Sequence, residues 1–232
     1  MIVYSTIGYE DHGLGGEVSQ SRLLIFGDLH GAISSLRQVI ARLVLRKDDT
    51  LLFLGDYIDR GENSRAVLDY LMELERTQPC IFLKGNHEDM FLQAYAGNAM
   101  DWALWLSNGG HTTLRDFGGE LPAESYVAWL QRLRYFHETP THYFVHAGLR
   151  PNVPPEQTTD QDRMWIREPF LSSEYDWGKQ VVFGHTVFLH GPVVLPNKIG
   201  IDTGAFTPMG RLTCLVLPEG RFVFSKGRSR RL

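Results

Sequence analysis

Three short segments carry side chains that could do chemistry: Gly27-Asp28-Leu29-His30-Gly31, Gly55-Asp56-Tyr57-Ile58-Asp59-Arg60-Gly61 and Gly85-Asn86-His87-Glu88. Each closes an apolar run, directly or with one lysine between. The spacing is nearly even, 28 residues from Asp28 to Asp56 and 30 from Asp56 to Asn86. Carboxylate, amide and imidazole donors together suit divalent cations of the hard and borderline kind. Two later histidines occupy similar places, His146 after Tyr143-Phe144-Val145 and His185 after Val181-Val182-Phe183-Gly184. One such histidine would ordinarily be a satisfied core or loop residue. Two of them, added to three strand ends bearing carboxylates or an amide, reverse that weighting and describe a metal-dependent hydrolase acting on phosphate. Two ions about 3.5–4 Å apart can activate water and clamp phosphoryl oxygens for in-line attack.

Such donors need rigid elements to aim them. Leu23-Leu24-Ile25-Phe26, Leu51-Leu52-Phe53-Leu54 and Cys80-Ile81-Phe82-Leu83 read as strands covered on both faces. Between them, residues 32–45 carry an apolar stripe of Ile33, Leu36, Val39, Ile40 and Leu43, and Ser64 to Arg76 supplies a second helix. This is the pattern of crossover units with a parallel sheet, in which ligands collect beyond the carboxyl ends of the strands. Residues 88–136 read as mostly helical, broken at Gly109-Gly110 and Gly118-Gly119, with Trp102, Trp105 and Trp129 as packing residues. After residue 140 the chain turns strand-like at 143–145, 181–183, 198–201, 212–217 and 222–224. These strands predict a second sheet packed on the first. Residues 1–232 read as one domain. It has an irregular arm over 1–21, which could dock through Ile2, Val3, Tyr4 and Ile7, and a solvated basic tail over 226–232.

Bulk properties exclude several classes. At 232 residues and 43% hydrophobic, the chain can bury about 70% of its unfolded surface. A net charge of −4 implies no basic surface for nucleic acid, and no basic stripe with interleaved aromatics is visible. Cys80 and Cys214 both lie in apolar runs and read as buried free thiols rather than a disulfide. There is no signal-peptide pattern and no 18-residue apolar run, so the expectation is a soluble, cytoplasmic protein without a membrane partner.

The ordered set GDLHG, GDYIDRG, GNHE, HAG and GHT, followed by Ile201-Asp202-Thr203-Gly204-Ala205, resembles the phosphoprotein phosphatase family of calcineurin-like metallophosphoesterases. It is most similar to the short bacterial and phage serine/threonine protein phosphatases. The resemblance implies an α/β fold of two packed, mainly mixed β-sheets flanked by helices, in α/β/β/α layers. It implies one metal on Asp28, His30 and Asp56, and a second on Asp56 as bridge with Asn86, His146 and His185. Two carboxylates against two divalent cations leave a net charge near +2, suited to a phosphate dianion. The mixed oxygen and nitrogen set favours Mn²⁺, with Fe or Zn²⁺ as alternatives, over an all-oxygen Ca²⁺ or Mg²⁺ cage.

By the same resemblance His87 faces the leaving group and Asp59 orients it. The chemistry needs such a pair, since an alkoxide is costly to expel unprotonated and a neighbouring carboxylate raises an imidazole pKa. Arg60 is the first phosphate clamp, matching two phosphoryl oxygens bidentately. Arg167, in Met164-Trp165-Ile166-Arg167, is the second, with Arg163 and Arg150 as competitors. Glu88 is expected to cap or charge the first turn of the following helix, Asp202 to support His185 or nearby backbone, and His111 to line the pocket or serve a turn. His12, His137, His142 and His190 receive no role.

The implied activity is hydrolysis of phosphomonoesters, chiefly dephosphorylation of protein phosphoserine and phosphothreonine by a metal-bridging hydroxide. The alternative is a symmetrical bis(5'-nucleosyl)-tetraphosphatase, although those enzymes typically carry Ala-Arg in place of Asp59-Arg60 and GNHD in place of GNHE. A phosphodiesterase or a noncatalytic binding module fits less well. Expected partners are phosphoproteins, phosphopeptides and small phosphomonoesters. No dedicated regulatory subunit is implied.

Overall fold

A computed structural model describes residues 21–232, so the expected docking of the N-terminal arm lies outside the described residues. Strands β1 (Leu23–Phe26), β2 (Thr50–Phe53) and β3 (Cys80–Phe82) run parallel, with Leu24 opposite Leu51 and Leu52 opposite Ile81. They are joined by helices α1 (Ile33–Leu43) and α2 (Ser64–Leu74), as the sequence pattern predicts. Strand alternation divides the apolar side chains between two cores. Leu24 and Phe26 face the helices, where Phe26 stacks on Phe53 and Phe53 on Phe82, with ring centroids 4.6 and 5.2 Å apart. Ile25, Leu52 and Leu54 face the second sheet and meet Phe144, Val182 and Ile199.

That second sheet contains β4 (Phe136–Glu138), β5 (His142–Val145), β6 (Gln180–Phe183), β7 (Val193–Leu195) and β8 (Lys198–Gly200), in the order β4-β5-β6-β8-β7. Strands β5, β6 and β8 are parallel, and the two edge strands are antiparallel to their neighbours. Its outer face is covered by α7 (Asp160–Trp165) and the chain beyond it, with Ile166, Phe170 and Trp177 packed on Val181 and Phe183. The layers are therefore the α/β/β/α arrangement expected.

Two expectations need correction. Sequence order assigns the last strands, β9 (Thr213–Leu217) and β10 (Arg221–Phe224), to the second sheet. They instead extend the first, where β9 pairs antiparallel with β1 and places Leu215 opposite Ile25. Periodicity reports that a strand is buried, not which edge receives it. The basic tail is also partly ordered: β11 (Arg230–Arg231) pairs with β10, and Arg230 lies over the Phe222 ring. Cys80 and Cys214 are free thiols as predicted, but Cys80 is only half-buried. Burial pushes the Cys80 thiol up to about 12 and Cys214 higher still, so neither is a ready nucleophile. Among the described residues no helix is long and apolar enough to cross a membrane.

The entry to β1 is pinned by a buried ion pair. Arg22 donates to both Asp49 oxygens, at 2.8 and 2.6 Å, and the Arg46 amide donates to Asp49 at 2.7 Å. Burial alone would raise the Asp49 carboxyl, but these donors hold it below its ordinary value. A carboxyl depressed in the folded state stabilises above its unfolded pKa, and that contribution is lost as pH falls through the folded value. Asp49→Asn should therefore cost about 3 kcal/mol at pH 7 by leaving Arg22 uncompensated. In urea denaturation the gap between variant and parent should close below about pH 4; a gap of the same size at every pH would show that it does not come from the ionised pair.

Candidate active site

The carboxyl ends of six strands converge. From the first sheet come Asp28 after β1, Asp56 after β2 and Asn86 after β3; from the second come His146 after β5, His185 after β6 and Asp202 after β8. Asp28, His30, Asp56, Asp59, Asn86, His87, His146 and His185 are all buried. Among the described residues seven non-glycine positions have positive φ, and five of them (His30, Asp56, Asp59, Arg60 and His185) are here, so backbone strain concentrates at this site.

Glu88 offsets part of that strain. It lies in the first turn of α3 (Asn86–Tyr95), where its Oε2 accepts the Gly85 amide at 3.0 Å in the manner of a cap. The same carboxylate also accepts the amides of Asp56 at 2.9 Å, Tyr57 at 2.7 Å and Ile58 at 3.3 Å. Its role thus extends past the predicted cap: it joins the loop after β2 to the start of α3. Two motif glycines are explained by close approach. A Cβ on Gly85 would lie 2.1 Å from Asp56 Oδ1, and one on Gly184 2.1 Å from Asp28 Oδ1.

The donor atoms fit divalent cations. His30 and Asp56 converge with His87, the residue expected to donate a proton, in the place expected of Asp28, and Asp56, His146 and His185 form a second group, with Asp56 common to both. Asn86 Oδ1 sits 3.1 Å from His146 Nε2 and 2.9 Å from His185 Nδ1. Adjacent ligands of an octahedral ion with bonds of about 2.1 Å are about 3 Å apart, which matches this edge. The opposite ring nitrogens are engaged: His30 Nδ1 with the Ile58 carbonyl at 2.8 Å, His146 Nδ1 with the Leu54 carbonyl at 2.9 Å. A carbonyl only accepts, so each Nδ1 carries the proton and each Nε2 lone pair points into the site. Asp28 accepts the His185 amide at 3.0 and 3.1 Å, standing beside rather than within the tighter groups.

Electrostatics give the same reading. Burial and the nearby Asp202 raise the Asp28 carboxyl well above the ordinary range. Burial acts the same way on Asp56, but His146, His87 and His30 outweigh it and hold Asp56 well below that range. Burial lowers His146, yet Asp56, Asp28 and Glu88 bring it up to about 9. Burial and the adjacent His146 push His185 down to about 2. Carboxylates and imidazoles forced together without water are what a cation site requires. Asp202 takes the backbone alternative foreseen for it, accepting the Gly204 amide at 2.9 Å, while its Oδ2 has no partner among the described residues.

His87 and Asp59 lie together as predicted, with His87 Nδ1 2.8 Å from Asp59 Oδ2 and His87 Nε2 buried without a partner among the described residues. Sequence reading missed what holds Asp59. The Trp105 indole, at the end of α4 (Ala99–Trp105), and the Thr113 hydroxyl, in α5 (His111–Asp116), both donate to it. The expected break between them is present: Gly109, at φ 108, kinks the chain within Leu106–Gly110. Arg60 Nη1 is 3.0 Å from His30 Nε2, and its guanidinium lies 5.6 Å from the Phe206 ring centroid. Beside it opens a cavity of about 440 Å³ lined by His30, Ser34, Asn63 and Phe206. Of the other arginines, Arg150 is paired with Asp162 and Arg163 with Asp160. Arg167 is exposed and among the described residues donates to the His185 carbonyl alone, at 3.4 Å, which leaves it the least engaged of the three there. His111 is exposed and bonds to the Leu106 carbonyl, a turn role.

A family model described as calcineurin-like phosphoesterase matches residues 21–192. The chain belongs to that family. A Salmonella typhimurium serine/threonine-protein phosphatase 1 is 30% identical over 196 residues, 78% of this chain and 85% of the relative. An asymmetrical bis(5'-nucleosyl)-tetraphosphatase, PrpE, from Geobacillus is 24% identical over 227 residues, 84% and 90% of the two chains. In fold, this phosphoesterase overlays a solved candidate diadenosine tetraphosphatase with a TM-score of 0.70 at 22% identity, covering 89% of this chain and 94% of the other. Asp56→Asn should lower the content of both metals measured after Mn²⁺ loading and desalting, because Asp56 is shared by both donor groups. Unchanged metal content would remove Asp56 from the bridging position.

Proposed function

We propose that this phosphoesterase hydrolyses phosphomonoesters, with phosphoserine and phosphothreonine in proteins as its principal substrates. The observation that carries the reading is the His87–Asp59 pair, buried beside the donor cluster with His87 Nε2 uncommitted. Asp28, His30, Asp56, Asn86, His146 and His185 would hold two divalent cations, most simply Mn²⁺, which when bound would supply Lewis-acid activation of water and neutralise phosphate charge. Arg60 and Arg167 clamp the phosphoryl oxygens. Water attacks phosphorus, the ester P–O bond breaks, and the proton on His87 Nε2 passes to the departing oxygen. Burial holds His87 below the ordinary imidazole value, and Asp56 and Asp59 offset only part of that lowering.

A second reading, cleavage of asymmetrical bis(5'-nucleosyl)-tetraphosphates, is favoured by the PrpE relatives, which align over more of the chain than the protein phosphatase does. A turnover panel with added Mn²⁺ separates them: a phosphoserine peptide, p-nitrophenyl phosphate, diadenosine tetraphosphate and a phosphodiester. Preferred turnover of the peptide is expected, whereas rapid tetraphosphate cleavage with negligible peptide turnover would reverse the assignment. His87→Asn should keep its metal and lose about 10²–10⁴-fold on the peptide, with a much smaller loss on p-nitrophenyl phosphate. Equal losses on both would exclude proton donation by His87.

A further inference from the structure

We infer that Thr113 and Trp105 are positioning residues for proton delivery, fixing Asp59 so that His87 presents Nε2 to the leaving group. The inference rests on the monoesterase reading above and deepens it. Thr113 and Trp105 are fully buried, and both belong to the helical stretch that sequence reading assigned to packing.

The donor inventory determines the polarity of the network. An indole N–H can only donate, and it lies 3.1 and 3.0 Å from the two Asp59 oxygens. The Thr113 hydroxyl donates to Asp59 Oδ1 at 2.7 Å, which commits its only proton. Its lone pairs then accept the Asp59 amide at 2.9 Å and the Ser64 hydroxyl at 3.0 Å. Ser64 Oγ accepts the same amide at 3.1 Å. Every hydroxyl and indole proton thus runs toward Asp59, whose carboxylate is left as acceptor throughout. The proton between Asp59 Oδ2 and His87 therefore resides on Nδ1, and Nε2 is the nitrogen that meets substrate.

The local fold makes this possible. Asp59 sits at φ 70, a conformation that needs external support in a non-glycine residue. The glycine turn kinked at Gly109 brings Trp105 and Thr113, eight residues apart, onto the same carboxylate. Gly110 within it leaves room for the Trp105 ring, since a Cβ there would lie 2.4 Å from the indole. The Gly109 carbonyl accepts the Arg60 amide at 3.4 Å, so one turn steadies both acid pair and clamp.

Thr113→Val removes the hydroxyl that donates to Asp59 and accepts its amide, and Trp105→Phe removes the indole N–H together with part of a buried ring. Each should lower turnover of a phosphoserine peptide about tenfold or more, and the double variant further, as partial loss of a general acid worth about 10²–10⁴ requires. Turnover of p-nitrophenyl phosphate, whose leaving group needs no proton, should fall less than about threefold. Metal content should stay near the parent's at a temperature where the variants remain folded, and Thr113→Ser should restore peptide turnover. In the diamagnetic zinc-loaded protein, the downfield imidazole Nδ1–H proton signal of His87 should broaden or vanish in Thr113→Val and return in Thr113→Ser. His87→Asn is the control. If it discriminates between the two substrates but Thr113→Val and Trp105→Phe lose both activities equally, or leave the proton signal untouched, the positioning role is overturned and the monoesterase reading stands. If His87→Asn itself fails to discriminate, the proton-delivery reading falls and this inference with it.

Discussion

The site depends on one buried carboxylate accepting four backbone amides. Glu88 holds Gly85, Asp56, Tyr57 and Ile58 at once, so the start of α3 and the loop after β2 cannot move independently. In return the His87 amide donates to Asp56 Oδ1 at 3.1 Å. Charge-assisted bonds of this kind stabilise a buried anion that isolated burial would expel. Even so, burial and the proximity of Asp56 push Glu88 up to about 7. The cost is tolerated because the contact fixes three functional groups together: Asp56 between the two donor groups, Asn86 beside His146 and His185, and His87 facing Asp59.

Around that constraint the charges are mutually frustrated. Asp28, Asp56, Asp202 and Glu88 are buried close together, and Asp28 and Asp56 are driven in opposite directions from the same starting value. Like charges this close cannot all ionise without cations or imidazolium to balance them. The apolar sandwich sustains this arrangement. The Phe26, Phe53 and Phe82 stack and the inter-sheet core of Ile25, Phe144 and Val182 bury enough surface to hold strained, charged loops at the rim. Any ion that binds the folded site and not the unfolded chain then adds stability by mass action.

Much of this was legible in the sequence, because a short apolar run closed by Gly-Asp or Gly-Asn encodes both a buried strand and the donor at its end. Strand β1 begins and ends where the pattern puts it, and the six expected metal-ligand residues all reach one rim. The features that were not legible depended on partners rather than on patterns. That β9 pairs with β1 is a long-range choice that alternation along β9 cannot encode. Strands β4 and β7, three residues each, are too short to show a period. The support of Asp59 by Trp105 escaped because an aromatic at helical spacing reads as core, and its ring is indeed core, packed 5.2 Å from Phe91. Only the N–H on its edge does something else. Glu88 was half visible, as a residue in the first turn of α3, since capping is local whereas its bonds to Tyr57 and Ile58 span about thirty residues.

The same support bears on substrate choice. A tetraphosphate releases a phosphate group, whose own second ionisation lies near pH 6; such a leaving group departs without much help. A serine or threonine alkoxide is far more basic and leaves slowly unless protonated as the bond breaks. The protein holds Asp59 in a left-handed conformation, buries it completely and gives it two donors besides His87. A strained, desolvated carboxylate of this kind costs stability in the free enzyme. On the proposed reading that cost is compensated in catalysis where the leaving group needs a proton, which Asp59 would help His87 to deliver. The investment in the acid pair, more than the donor cluster common to both reactions, is what supports the monoester over the tetraphosphate.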